Sequence, residues 1–274
     1  MGAIVTSSLT IESQLQHKNQ DYFDLYKKLK QWAVAQWADH NDVPEQIRHD
    51  VSHSEALMGH ANTLLQNQLK TEYLNEKELF LLAAAVYLHD IGMQFGWKEY
   101  LGIQGDRGNL SPDERKQIRI NHAKTSGIVI RSFKKTLPRS LSENLSPKQN
   151  NILNDLIERL AFVAESHNQA EIASYLKQIS TLFPDNSLKI DFLAALLQFC
   201  DTMHMDKSRL NEGRFIDELD KWIAGKPLES AYEPRDWQRF FQSYFVETAR
   251  VVPISKSDFF EIKIDVCFNP QENE

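Results

Sequence analysis

The sequence predicts an all-α fold, a helical bundle carrying a small C-terminal β-hairpin. Three observations carry that reading. From Asp21 to Phe199, apolar residues recur mostly at three- and four-residue intervals, the helical period. Two stretches, Leu79–Leu88 within a helix from about Glu76, and Leu188–Phe199, are strongly apolar, so each reads as a helix buried on most sides. Only the last segment alternates apolar and polar residues, over Ala249–Ile254 and Asp258–Phe268, with Ser255-Lys256-Ser257 between them.

In chain order, residues 1–20 are polar and read as loose. Tyr22, Leu25, Tyr26, Leu29, Trp32, Ala33 and Trp37 share one face of a helix from Asp21 to about His40. Asn41-Asp42-Val43-Pro44 is a turn leading to a second helix, Glu45 to Leu69, with a stripe of Ile47, Val51, Leu57, Ala61, Leu64 and Leu65. After the apolar helix ending in His89-Asp90, Gly92, Gly96, Gly102, Gly105 and Gly108 mark a loop, placed to act as a lid. Ser111, Pro112 and Glu114 form a capping box with proline at the first helical position, opening a helix to about Lys135. Leu137–Asn150, with its prolines and serines, reads as a loop, followed by helices over Ile152–Ser166, Glu171–Ile179 and Leu188–Phe199. Two weaker helices are expected near Asn211–Ala224 and Pro234–Phe245.

Composition narrows the class. The hydrophobic fraction of 42% and charged fraction of 25% are those of an ordinary globular protein. No apolar run approaches the roughly 18 residues of a membrane span, and the opening residues lack a secretory pattern. Two cysteines exclude a disulfide scaffold and point to a reducing cytoplasm. A net charge of −7 speaks against a protein built to grip long nucleic acid, but not against a small anionic substrate, since a bound metal can carry the local positive charge.

The chemistry lies in the histidines, of which there are nine. His89-Asp90, His167 and Asp201 each fall at or just past the end of a strongly apolar helix, while His53 and His122 lie within helices. Taken singly, His53 and His122 are ordinary surface or core histidines, His167 a favourable helix-terminal cation, and Asp201 a cap for the next segment. His89-Asp90 resists such a reading, because an imidazole and a carboxylate at the end of so apolar a run need a partner such as a metal.

In order the set reads His53, His89-Asp90, His122, His167, Asp201, and His89-Asp90-Ile91-Gly92 adds an Ile-Gly after the pair. This resembles the HD superfamily of metal-dependent phosphohydrolases, over roughly residues 45–210. The resemblance implies an HD-domain helical bundle at 44–210, an N-terminal tail and helix at 1–43 packed on it, and helices with a β-hairpin at 211–274. It also implies two divalent transition metals, the first on His53, His89, Asp90 and Asp201 and the second on Asp90, His122 and His167. The mixed imidazole and carboxylate set suits Mn or Fe, and Zn, Ni or Mg would also be accepted.

The implied function is a metal-dependent phosphohydrolase that attacks a nucleotide-type phosphodiester or phosphomonoester with metal-activated water. Two other readings stand beside it: a metal-dependent single-strand nuclease, and a non-catalytic HD sensor or scaffold. Asp90 would bridge the metals. Arg119 and Lys124, which flank His122 but cannot both share its face, and Arg107 in the glycine-rich loop are either contacts for a phosphate or solvated surface charges. His49, four residues before His53, would orient a phosphate or support the ligands. His49-Asp50-Val51-Ser52-His53-Ser54 is similar to the entry motif of HD modules in bacterial defence systems, some paired with an ATPase partner; a homodimer is the other expected assembly. The pattern also departs from that of many relatives: His167-Asn168 replaces a His-His pair, Met93 stands where a lysine is common, and His204 where an aspartate is frequent.

Overall fold

The computed structural model describes residues 9–39, 50–94, 96–104, 109–168, 172–184, 187–205, 246–253 and 262–268, with isolated positions at 216, 220–221 and 224. Its body is helical. In order the helices are α1 (Ile11–Lys18), α2 (Gln20–Asp39), α3 (Val51–Leu64), α4 (Gln66–Lys70), α5 (Glu76–Leu88), α6 (Trp97–Leu101), α7 (Pro112–Ser132), α8 (Arg139–Ser142), α9 (Pro147–Glu165), α10 (Ile172–Leu182) and α11 (Ile190–Met203).

α5 is the centre of the bundle. Every residue from Glu78 to Leu88 is buried, because α1, α2, α3, α9 and α11 all pack against it. With no side left for solvent, the helix must be apolar all round, as its sequence is. The one charge in the buried run, Glu78, is fully enclosed and satisfied. Its Oε2 accepts the Asn75 amide at 2.9 Å, closing a capping box, and its Oε1 accepts the Lys189 amide at 2.8 Å.

That second bond ties the start of α11 to the start of α5. Asp90 follows Glu78, and Asp201 follows Lys189, by the same number of residues, so two neighbouring helices deliver their carboxylates at one level, about 18 Å along.

Several expected boundaries are corrected. Residues 1–8 lie outside the described residues, but the rest of the stretch expected as loose is ordered: Thr10 caps α1 through a capping box with Ser13, and Ile11 and Leu15 are fully buried. The second helix starts at Val51 rather than Glu45, because the Asp50 side chain accepts the amides of Ser52 and His53 and acts as the N-cap. The stretch expected as a loop at Leu137–Asn150 contains α8 and the first turn of α9, which Ser146, Pro147 and Gln149 open with a capping box. The glycine-rich loop contains a 3₁₀ turn at Ile91–Met93 and α6, bounded by Gly96 and Gly102 with φ of +82° and +68°.

Near the C-terminus, β1 (Val246–Pro253) and β2 (Ile262–Phe268) pair antiparallel, in register from Thr248 opposite Cys267 to Pro253 opposite Ile262. β1 lies against α3 and α11. The connection between the strands and the helix expected at Pro234–Phe245 lie outside the described residues, as does most of that at Asn211–Ala224. Among the described residues, no helix is long and apolar enough to cross a membrane.

Candidate metal centre

Five segments bring their side chains to one point. His53 lies in the first turn of α3, and His89-Asp90 directly follows α5. His122 sits mid-way along α7, and His167 lies in the 3₁₀ turn Ser166–Asn168 after α9. Asp201 is in the last turn of α11. The four histidines and Asp90 are buried, and Asp201 is partly exposed.

Asp90 is at the middle. Its Oδ2 lies 3.0 Å from His89 Nε2 and 3.6 Å from His53 Nε2. Its Oδ1 lies 3.2 Å from the Nε2 atoms of both His122 and His167. Asp201 Oδ1 completes the first side, 3.1 Å from His53 Nε2.

The opposite edges of three rings are fixed by the chain itself. His89, His122 and His167 each place Nδ1 at the carbonyl three residues back, Val86, Arg119 and Ala164, at 2.9, 2.5 and 2.7 Å. A carbonyl only accepts, so each Nδ1 carries a proton, and in the neutral ring Nε2 then offers a lone pair. These Nε2 atoms crowd together: His122 and His167 at 2.9 Å, His53 and His89 at 3.2 Å. Lone pairs that close repel unless a proton or a metal ion lies between them. Inward Nε2 atoms, Nδ1 atoms anchored outside and two carboxylates could hold a metal ion. The ligand atoms of His53, His89 and Asp201, and those of His89, Asp90 and His167, lie within 4.8 Å of one another in each group.

Close backbone approach holds the arrangement. Gly92 lies so tightly on α7 that a Cβ there would stand 2.2 Å from the His122 carbonyl oxygen and 2.6 Å from the Ser126 nitrogen. Its amide donates to Ser126 Oγ at 2.8 Å. The glycine after the His-Asp pair is thus the position at which that pair docks beside His122. On the other side, Arg131 of α7 makes a bidentate pair with Glu165 of α9, with N–O distances of 2.5 and 3.0 Å. Glu165 lies across Gly127 and two residues before His167, so the pair sets where His167 meets His122. Cys200, beside Asp201 in sequence, is buried; burial, with the Asp201 charge adding to it, pushes its thiol up to about 12.

A family model described as HD-CE matches residues 24–221, well over half of the chain. The chain belongs to the HD-CE family. No curated protein and no solved structure matches it. The His/Asp cluster just described is therefore the buried polar centre of an HD-type domain.

Among the other expected site residues, Arg119 is half-buried, and its main chain anchors His122. Lys124 is exposed, two positions beyond the buried His122 and so about 200° round α7 from it. His49 and Arg107 lie outside the described residues, and α3 begins after His49, so this helix does not set the spacing between His49 and His53. Sequence reasoning did not find Ser126, the Arg131–Glu165 pair, or the contact between His53 and His204 at 2.7 Å. Only the glycine of His-Asp-x-Gly could have signalled the first of these.

Proposed function

We propose that this HD-CE protein is a two-metal phosphohydrolase acting on a nucleotide-type phosphodiester or phosphomonoester. The observation that carries the reading is the division of labour at Asp90, with one oxygen facing His89 and His53 and the other facing His122 and His167. His53, His89, Asp90 and Asp201 would hold the first metal, and Asp90, His122 and His167 the second. Mn or Fe fits the mixed donor set best, with Zn, Ni or Mg as substitutes. When bound, the pair supplies Lewis-acid chemistry and a reactive water at neutral pH.

The protein's own residues do the rest. Four neutral imidazoles contribute no charge, and two carboxylates contribute one negative charge each. The loaded centre is then net cationic and attracts a phosphate although the chain carries −7. The main-chain anchors on Nδ1 prevent His89, His122 and His167 from turning over, so the donor atoms are in place before substrate arrives. Arg119, half-buried one turn before His122, would meet a substrate phosphate. His49 and Arg107 are further candidates for that contact.

The test is hydrolysis of nucleotides, cyclic dinucleotides and labelled single strands, with and without Mn, by the wild type and by His89→Ala and Asp90→Ala. Mn-dependent turnover of a nucleotide or cyclic dinucleotide that both variants abolish is expected. Turnover of single strands alone would favour a nuclease. No turnover of any of these, with the metals bound, would make the protein a binding module.

A further inference from the structure

The last turn of α11 holds both ring nitrogens of His53. Asp201 Oδ1 lies 3.1 Å from Nε2, and His204 Nδ1 lies 2.7 Å from Nδ1. The rings of His53 and His204 lie edge to edge, inclined by only 10°, with centroids 5.0 Å apart. His204 is 2% exposed. Its amide donates to the carbonyls of Cys200 and Asp201, both at 3.3 Å, which makes it the C-cap of α11 and fixes it to the turn that carries Asp201.

An Nδ1–Nδ1 hydrogen bond holds one proton, on one of the two rings. The other three histidines indicate which ring carries it. Each keeps Nδ1–H on the carbonyl three residues back and turns a bare Nε2 inward. His53 does not use that carbonyl. Its counterpart is Asp50, the N-cap of α3, whose oxygen already accepts the amides of His53 at 3.1 Å and Ser54 at 3.3 Å. His53 Nδ1 meets His204 Nδ1 instead, and its Nε2 faces Asp201 and Asp90.

We propose that His204 stands in for that carbonyl as a positioning residue. It accepts the Nδ1 proton of His53, sets the tautomer and ring angle, and so makes His53 Nε2 a metal ligand. The proposal rests on the metal-centre reading above. It also divides the centre: the site that includes His53 and Asp201 depends on His204, and the site on His122 and His167 does not.

The test is titration of the full-length protein with Co²⁺ against a competing chelator, followed by absorption, for the wild type, His204→Leu and His204→Asn. His204→Leu should weaken one of the two sites by about 10- to 100-fold and leave the other unchanged. His204→Asn should restore most of the loss, because its Oδ1 takes the place of Nδ1 and accepts the same proton. Wild-type affinity at both sites in His204→Leu, or equal weakness in both variants, would overturn the proposal. ¹⁵N imidazole spectra of the zinc-loaded wild type need no variant. They should place the proton of His53 on Nδ1 and that of His204 on Nε2, and the reverse assignment would overturn the role. A wild-type protein that takes up no cobalt would overturn the metal-centre reading itself, an outcome distinct from a loss confined to the variants.

Discussion

Glu78 accepts the main-chain amide of Lys189 at 2.8 Å, and this bond sets α5 and α11 level, so that His89-Asp90 and Asp201 arrive together. Glu78 is wholly buried and also takes the Asn75 amide and approaches Lys189 Nζ at 3.4 Å. Glu78→Ala should therefore leave two amides short of an acceptor and cost about 2–4 kcal/mol in urea unfolding. Glu78→Gln, which keeps an acceptor, should cost less. Equal stability of Glu78→Ala and the wild type would refute the alignment role.

Two glycines make a matched comparison. A Cβ at Gly92 would collide with main-chain atoms of α7, which cannot swing aside, whereas a Cβ at Gly59 in α3 meets nothing within 4 Å. Gly92→Ala should destabilise by about 2 kcal/mol or more and reduce metal uptake. Gly59→Ala should raise stability by about 0.5–1 kcal/mol. Thermal unfolding of the two variants side by side checks both signs.

These examples also show what the sequence made legible. α5 was readable because a helix enclosed on every side must be apolar all round, and α7 because Ser111-Pro112-x-Glu114 announces its start. Ser146-Pro147-x-Gln149 uses the same capping grammar, yet the surrounding serines and prolines read as a loop. The opening of α1 was hidden because so short a helix shows only Ile11 and Leu15 of its stripe. The residues that converge at the centre could be picked out by residue type and order along the chain. The contact of His204 with His53 could not, since it joins positions 151 apart and depends on how α3 and α11 pack.

The concealed cap has a testable cost. Ser146 Oγ accepts the Gln149 amide at 3.2 Å, and Gln149 Oε1 accepts the Ser146 amide at 3.0 Å and meets Lys28 Nζ at 2.7 Å. Ser146→Ala should cost about 1 kcal/mol by chemical denaturation, as should Ser111→Ala at the start of α7. No loss in either variant would mean that these boxes do not define the helix starts.

Cys200 is 1% exposed, and burial holds its thiol far above neutral pH. The thiolate is the reactive form, so iodoacetamide at pH 8 should leave the Cys200 peptide unmodified in the native protein and label it after unfolding. Peptide-level mass spectrometry reads this directly. Rapid native labelling would mean that α11 opens readily beside Asp201.

The central claim is that Asp90 joins two metal positions. Its most direct test is elemental analysis of the full-length protein after Mn loading and gel filtration. The geometry predicts about two metal ions per chain for the wild type, about one for His122→Ala, which strips only the second site, and close to none for Asp90→Ala. Less than one metal per chain in the wild type, or a count unchanged by Asp90→Ala, would contradict it.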